Sequence, residues 1–256
     1  MQLEDFIQDV ARGAGEIIRE KYQKLDTWQA KGSRGDVVTE VDVASEEYVI
    51  GRIKAEFPSD GIVSEETGAQ GNLDGAVWVI DPLDGTKNYT MQIPMFAVSI
   101  GRAEGGVPNA GAIYDPIHDE MFYAQRGCGA RVNGRAIRVA EEKTVDDCLI
   151  NVSWSPGSDC ANFIKYMEYL SHRTAYFRRF GSAAVVMAYI ACGRLHGYMQ
   201  AGLHPWDAAA GIVIIQEAGG MITDFHGKPI DLRNSNIGIV TANPDIHAEL
   251  MKEVIG

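Results

Sequence analysis

Apolar side chains recur every three or four positions in the first part of the chain. The pattern runs from Leu3 to Tyr22 and resumes from Thr39 to Phe57. Because this period matches the turn of an α-helix, both segments are predicted to be amphipathic helices. Pro58 directly follows the second segment, and a residue without a backbone N–H is expected to end a helix there.

From Ile62 onward, the chain changes to short apolar runs separated by Gly, Pro and Asn. Runs of this kind, bounded by turn residues, are typical of β-strands, and here they predict a mainly antiparallel sheet. The predicted strands span 61–64, 76–80, 96–100, 110–114, 120–124 and 129–132.

After about residue 145, helical and strand-like segments alternate, as in an α/β protein. Helices are predicted over 162–172, 180–192, 206–218 and 244–255, and strands over 148–153, 195–199, 221–225 and 237–241. The sequence therefore predicts an α+β fold with an N-terminal α+β half, 1–144, and a C-terminal α/β half, 145–256. Since no repeat or low-complexity linker separates the halves, we expect one layered sandwich with a cleft between them.

The formal net charge of −12 argues against a nucleic-acid-binding scaffold, because phosphate backbones are bound by a surplus of Lys and Arg. No apolar run approaches the ~18 residues of a membrane span, and the N-terminus does not resemble a secretion signal. We therefore expect a cytoplasmic protein that does not bind membranes. The cysteines lack zinc-site spacing and are expected to be free, buried thiols: Cys128, Cys148, Cys160 and Cys192.

The segment Trp78-Val-Ile-Asp-Pro-Leu-Asp-Gly-Thr-Lys-Asn88 is the most informative of the chain. An apolar strand leads into Asp81 and Asp84, so both carboxylates are expected at one end of a sheet, where they could share a cation. Pro82 is predicted to fix a turn, and Gly85 and Thr86 could offer backbone N–H groups to an anion. A plain Asx turn remains an alternative. An EF-hand calcium loop does not fit, because the positions that need oxygen ligands would include Leu83 and Gly85.

Further carboxylates occur in three other segments. Glu65 follows the short run Ile62-Val63, Asp42 lies just after Thr39, and Asp207 lies in the first turn of an Ala-rich helix. Each has an ordinary explanation when taken alone, namely a solvated surface, a helix cap or an interaction with the helix dipole. Only their combination with Asp81 and Asp84 indicates a common site.

Taken together, the motifs resemble those of the inositol monophosphatase family over nearly the whole chain. The motifs that carry the resemblance are Asp36-Val-Val-Thr-Glu-Val-Asp42, Ser64-Glu-Glu66, the Trp78–Asn88 segment, Gly127-Cys-Gly-Ala-Arg-Val-Asn-Gly134, Gly181-Ser-Ala-Ala184, Pro205-Trp-Asp-Ala-Ala-Ala-Gly211 and Glu217-Ala-Gly-Gly-Met-Ile-Thr-Asp224. The resemblance implies a layered αβαβα sandwich of the inositol monophosphatase and fructose-1,6-bisphosphatase type. It also implies a lithium-sensitive, Mg²⁺-dependent phosphatase that forms a homodimer.

The resemblance assigns a role to each matching position. It implies that metal ions are held by Glu65, Asp81, Asp84, Asp207 and the backbone carbonyl of Leu83. Asp42 and Thr86 match the pair that orients the attacking water and, with Glu65, form the catalytic set. Lys31 matches a lysine near the outermost metal ion. Residues expected to contact the substrate are Asp84, Gly85, Thr86, Ala183, Gln200 and Asp207. Arg179, just before Gly181, is a further candidate that could bind a second phosphate, and a structural or interface salt bridge is the alternative for it.

Mg²⁺ is the expected cofactor, because carboxylates and a phosphate suit a hard cation. The resemblance implies two or three such ions, with Mn²⁺ as a possible substitute and with Li⁺ and Ca²⁺ as inhibitors. The expected substrate is a small phosphorylated polyol, with myo-inositol 1-phosphate as the leading candidate. Gln200 stands where the family commonly has a Glu that binds inositol, which leaves three other substrates open: histidinol phosphate, fructose 1,6-bisphosphate and a nucleotide 3′-phosphate. The alternative to an enzymatic function is a regulatory role as a protein that associates with transcription machinery.

Overall fold

The computed structural model describes residues 2–24, 29–30, 37–155, 158, 161–174 and 176–255. Lys31, Asp36 and Cys160 lie outside these residues. Cys148 is a buried free thiol as expected, but the expectation of burial is wrong for Cys128, which lies in a turn and is exposed, and for Cys192, which is partly exposed. In the described residues, the helices are α1 (Leu3–Lys21), α2 (Glu40–Glu56), α3 (Thr86–Thr90), α4 (Ala161–Arg173), α5 (Ala183–Ala191), α6 (Pro205–Glu217) and α7 (Pro244–Ile255), with a 3₁₀ turn at Val145–Asp147.

The strands are mostly those expected from the apolar runs. They are β1 (Gln29–Ala30), β2 (Val37–Val38), β3 (Gly61–Ser64), β4 (Gly68–Gln70), β5 (Ala76–Asp84), β6 (Ala97–Glu104), β7 (Val107–Asp115), β8 (Glu120–Gln125), β9 (Ala130–Val132), β10 (Arg135–Ala136), β11 (Ile150–Trp154), β12 (Phe177–Arg178), β13 (Gly197–Leu203), β14 (Met221–Thr223) and β15 (Ile237–Ala242).

The predicted helix over 180–192 begins three residues later than expected. Gly181 has a φ of +78°, and Ser182 is extended, so neither continues a helix. The hydroxyl of Ser182 accepts the backbone N–H of Val185 and thereby caps α5. The local chemistry of a glycine and a serine therefore overrides the apolar pattern at this end.

Two larger sheets organise the fold. The first has the order β10-β9-β8-β7-β6-β5-β3-β4 and is antiparallel except where β3 pairs parallel with β5. The second has the order β12-β11-β13-β15-β14, with β11 parallel to both of its neighbours. The first sheet confirms the mainly antiparallel prediction for the N-terminal half.

Helices and sheets alternate in five layers. α1 and α2 pack on one face of the larger sheet, while α5 and α6 pack on its other face. α5 and α6 also contact the smaller sheet, and α4 and α7 cover the far face of that sheet. The αβαβα sandwich of the α+β class is therefore confirmed.

Three apolar clusters fill the spaces between these layers. Neighbouring residues of a strand point to opposite faces of the sheet, so one strand contributes side chains to two clusters. Trp78 and Ile80 face α1 and α2, whereas Val79 faces α5 and α6. The middle cluster draws residues from both 1–144 and 145–256, from Val79 to Ile239. The division into these two halves stays a prediction.

Helix α6 lies unusually close to the larger sheet. A Cβ atom on Gly101 would come within 2.6 Å of the Ala209 Cβ, and one on Gly111 within 2.6 Å of the Ala210 Cα. The run Ala208-Ala-Ala-Gly211 on α6 and these two strand glycines thus allow the backbones to approach each other. In the part of the chain that the structure describes, no helix combines the length and apolar character needed to cross a membrane.

Candidate metal centre

The end of β5 carries two candidate ligands on a β-bulge. Asp81 pairs with Ser99 and Asp84 pairs with Ala97, so one extra residue is inserted in β5 between the two aspartates. This corrects the expected turn at Pro82: the residue lies in a distorted strand, since a proline cannot donate to the ladder and is accommodated at a bulge. Asp81 Oδ1 accepts the Leu83 N–H at 3.1 Å, which fixes the carboxylate against the bulge.

Asp207 reaches the same place from the opposite half of the chain. Its carboxylate, in the first turn of α6, accepts the backbone N–H of His204 at 2.7 Å. Ser99, the partner of Asp81 in the sheet, donates its hydroxyl to the Trp206 carbonyl at 3.4 Å and links the start of α6 to the bulge. As a result, carboxylate oxygens of Asp81, Asp84 and Asp207 lie within 4.8 Å of one another.

Burial disfavours the ionised form of all three clustered carboxylates. Burial is the main cause that raises the pKa of Asp81 well above its usual range, and the charges of Glu65, Asp84 and Asp207 add to it. Burial raises the pKa of Asp84 to about 6, although hydrogen bonds from Ser182 and from the Ala183 and Ala184 N–H groups oppose the shift. The pKa of Asp207 is also raised well above its usual range, by burial and then by Asp84.

Glu65 lies beside this cluster, directly after β3. Its backbone N–H donates to the Ile80 carbonyl at 3.2 Å, so the residue is tied to β5 one position before Asp81. Glu65 and Leu83 both line the cleft that contains the three aspartates. The structure thus brings Glu65, Asp81, Leu83, Asp84 and Asp207 together, and we expect oxygen ligands of this kind to suit Mg²⁺.

Thr86 and Asp42 form a buried hydrogen-bonded pair next to the ligands. The Thr86 hydroxyl lies 2.9 Å from Asp42 Oδ1 and 2.9 Å from the Leu83 carbonyl oxygen. The other Asp42 oxygen accepts the N–H and the hydroxyl of Thr39, which caps α2. Asp42, whose side chain is fully buried, is therefore held in one orientation.

Gly85 connects the bulge to the short helix α3 and has a φ of +89°. This left-handed conformation favours glycine, and an added Cβ would lie 2.9 Å from the Met95 carbonyl oxygen. The close approach explains why the sequence has glycine immediately before Thr86.

Ala183, Gln200 and Arg179 line the same cleft beyond the carboxylates. The Tyr198 hydroxyl donates to Gln200 Oε1. Arg179 stacks on the Trp154 ring at 3.9 Å and donates to the Trp154 carbonyl at 2.9 Å. Arg179 forms no ion pair with another described residue, so the alternative of a salt bridge is not observed within this part of the chain.

The sequence analysis did not identify several polar residues that contact the site residues or the backbone next to them. Ser182 donates its hydroxyl to Asp84, Tyr198 holds Gln200, and Ser45 and Glu46 bond to the backbone of the ligand segments. Ser182 could have been found as a helix cap after a glycine. The other three lack a local signal, because their partners lie in distant segments or depend on the pairing of strands.

The chain matches the model of the inositol monophosphatase family over residues 2–255. It is 41% identical over 220 residues to the Nus factor SuhB of Xylella fastidiosa, covering 85% of this chain and 80% of that protein. It is 39% identical over 240 residues to the inositol-1-monophosphatase of Synechocystis sp., covering 93% and 83%. The crystal structure of the extragenic suppressor protein SuhB from Bartonella henselae superposes with a TM-score of 0.91 at 32% identity, covering 98% of each chain.

Proposed function

Because the chain belongs to the inositol monophosphatase family, we propose that it hydrolyses phosphate monoesters with the help of divalent metal ions. The observation that carries the proposal is the convergence of Asp81, Asp84 and Asp207 within 4.8 Å. Such a cluster would repel an anionic ester by itself. Burial, with a further contribution from the neighbouring carboxylates, raises the pKa values of Asp81 and Asp207, and bound cations would favour their ionised forms.

We propose Mg²⁺ as the natural ion, two or three per chain, because every candidate ligand atom is an oxygen. Glu65, Asp81 and the Leu83 carbonyl would hold one ion, while Asp81, Asp84 and Asp207 would hold a second. When bound, the ions supply Lewis acidity that lowers the pKa of water and neutralises charge on the phosphate and the departing alkoxide. Mn²⁺ is expected to substitute, whereas Ca²⁺ and Li⁺ are expected to inhibit.

Thr86 and Asp42 are proposed to orient the attacking water and accept its proton. When the Thr86 hydroxyl donates to Asp42 at 2.9 Å, the threonine oxygen retains lone pairs that can accept a hydrogen bond from water. Asp42 can then take up the proton through Thr86. The backbone N–H groups of Gly85 and Thr86 are proposed to bind the phosphate, in the position that the left-handed Gly85 provides.

The leading substrate is myo-inositol 1-phosphate, which is supported by the name of the Synechocystis relative. Ala183 and Gln200 would contact the ring. Because Tyr198 donates to Gln200 Oε1, the amide nitrogen is the group left to donate to a substrate oxygen. Arg179, a cation at the same cleft, would favour a second anionic group, which keeps fructose 1,6-bisphosphate and a nucleotide 3′-phosphate as alternatives beside histidinol phosphate.

The decisive experiment is phosphate release from each of these four substrates, in Mg²⁺ and in EDTA. We expect Mg²⁺-dependent turnover that is highest with inositol 1-phosphate, and no turnover by the Asp84→Asn variant. Circular dichroism would confirm that the variant is folded. Wild-type protein that releases no phosphate from any substrate with Mg²⁺, or a variant as active as wild type, would end the proposal.

A second candidate function is binding to transcription machinery, which the Nus factor name of the Xylella relative favours. The two functions can coexist because a binding surface need not include the cleft. A pull-down with wild-type protein and the Asp84→Asn variant separates them: equal capture of transcription proteins by both would support binding, and capture by neither would contradict it.

We also propose that the chain forms a homodimer. β12 is an edge strand of the smaller sheet; Tyr176, just before it, is 60% exposed, and Phe177, its first residue, is 37% exposed. Apolar side chains on an unpaired edge are typical of a contact surface. Light scattering after size exclusion should give twice the 27.9 kDa mass of the chain.

A further inference from the structure

Helix α2 carries three polar side chains that do not face solvent. Asp42, Ser45 and Glu46 are at most 1% exposed, although acidic residues are rarely buried without a charged partner. Their spacing of three and four residues places them on one face of the helix, toward the end of β5.

Together these side chains contact two segments of the metal centre. Asp42 accepts the Thr86 hydroxyl, and the Ser45 hydroxyl donates to the Pro82 carbonyl at 2.8 Å, between Asp81 and Leu83. Glu46 Oε1 accepts the backbone N–H groups of Glu66 at 3.1 Å and Thr67 at 3.2 Å. One face of one helix therefore joins the Trp78–Asn88 segment to the turn that follows Glu65.

Glu46 calls for a physical explanation because a buried carboxylate is costly unless it is well bonded. Among the described residues it pairs with no Lys, Arg or His, and its hydrogen bonds are to the backbone directly after Glu65. Two N–H groups that converge on one oxygen fix the peptide planes of that turn. The direction in which the Glu65 side chain leaves the backbone is thereby fixed as well.

We propose that Glu46 is a positioning residue that sets the place of the Glu65 carboxylate relative to Asp81 by holding the Glu66 and Thr67 N–H groups. This inference rests on the proposed function, since it concerns the ion that Glu65 and Asp81 would share. Partners that orient metal ligands typically contribute about 10- to 100-fold to metal affinity or activity. Glu46 acts through Glu65 and does not itself touch the ion or the substrate.

The test compares Glu46→Ala with Glu46→Gln by measuring Mn²⁺ binding to metal-free protein with electron paramagnetic resonance. The alanine variant should bind Mn²⁺ about 10- to 100-fold more weakly, the range for a lost outer partner, and its kcat should fall more than its substrate KM changes. The glutamine variant should stay within a few-fold of wild type, because the amide oxygen can still accept both N–H groups.

Glu217→Ala is the matched control. Glu217 also accepts two backbone N–H groups, those of Gly127 at 2.9 Å and Gly129 at 2.8 Å, but it lies at the far end of α6 from Asp207. We expect this variant to lose thermal stability and to keep wild-type Mn²⁺ affinity. That contrast separates positioning from a general loss of stability.

The inference is overturned if Glu46→Ala is folded, as judged by circular dichroism, and binds Mn²⁺ as tightly as wild type. It is also overturned if Glu46→Gln is as impaired as Glu46→Ala, since charge and not hydrogen bonding would then be responsible. Wild-type protein that binds Mn²⁺ without releasing phosphate would contradict the proposed activity alone, because the affinity comparison still holds. Wild-type protein that binds no Mn²⁺ would contradict both.

Discussion

The Thr86 hydroxyl has one proton and two acceptors at 2.9 Å, the Asp42 carboxylate and the Leu83 carbonyl. A carboxylate is the stronger acceptor, because hydrogen bonds to ionised groups are stronger than neutral ones. Thr39 already occupies the second Asp42 oxygen, so the carboxylate cannot rotate away. This arrangement determines which side of the Thr86 oxygen is available to a water molecule.

Replacing Thr86 with Val should therefore lower kcat by about 10²- to 10⁴-fold, the usual weight of one proton-transfer group, with a smaller effect on KM. The shape of the side chain is kept, and only the hydroxyl is lost. Steady-state phosphate release measures both constants. Thr90→Val is the control, since the Thr90 hydroxyl on the same helix bonds, among the described residues, to the Lys87 carbonyl alone and should be dispensable. Wild-type kcat in the Thr86 variant would contradict the role.

Asp81 shows the cost of keeping a charged ligand in a buried site. Its raised pKa means that the folded, metal-free protein is destabilised when Asp81 is ionised. Asp81→Asn keeps an oxygen that can accept the Leu83 N–H but removes the charge. In EDTA at pH 8, the variant should consequently have a higher Tm than wild type.

The sign of the pH dependence follows from the same shift. An acid whose pKa is raised by folding destabilises the fold above its folded pKa, and the penalty disappears once the acid is protonated in both states, below about 4. The advantage of Asp81→Asn should thus shrink between pH 8 and acidic pH. Thermal unfolding followed by circular dichroism measures the difference in Tm between the variant and wild type. A variant less stable than wild type at pH 8 would contradict the claim that ionised Asp81 destabilises the metal-free fold.

Helix α6 places Asp207 at the site because small residues allow it to lie close to β6 and β7. Gly101→Ala would bring a Cβ within 2.6 Å of the Ala209 Cβ and 3.1 Å of its carbonyl carbon, so α6 must move away from the sheet. We expect weaker Mn²⁺ binding together with a lower Tm. Gly197→Ala is the control, because its nearest neighbours are side-chain atoms at 3.4 Å or more. Unchanged Mn²⁺ affinity in Gly101→Ala would show that Asp207 does not depend on this contact.

At the level of elements, sequence reasoning succeeds where a pattern is long. α1, α2 and α7 follow from apolar periodicity, and the main strands follow from apolar runs between turns. Short elements such as β4, β12 and α3 have too few residues for a pattern. The bulge between Asp81 and Asp84 could not be predicted, because it depends on how β5 pairs with β6.

The residues of the candidate site, too, were predictable from the sequence only in part. Its carboxylates could be predicted because they lie in recognisable motifs, and the structure brings Asp81, Asp84 and Asp207 together. Glu46 and Ser45 could not be predicted, since no sequence pattern marks either residue and their role depends on the packing of α2 against β5. Long-range partners of this kind are defined by the fold and not by local sequence.

For the whole molecule, the five layers bring Glu65, Asp81 and Asp84 from the first 144 residues against Asp207 from the remainder. Ions bound there should stabilise the native state, by about 3 kcal/mol at 100 times the Kd, which corresponds to a rise in Tm of several degrees in a chain of this size. Asp207→Asn should lose most of the Mg²⁺-dependent rise measured by differential scanning calorimetry. Asp74→Asn removes one exposed charge outside the cleft and controls for screening of the net charge of −12, so it should keep the full rise. An equal rise in wild type and both variants would mean that Mg²⁺ acts on overall charge, and the centre that joins the two halves would then have no support.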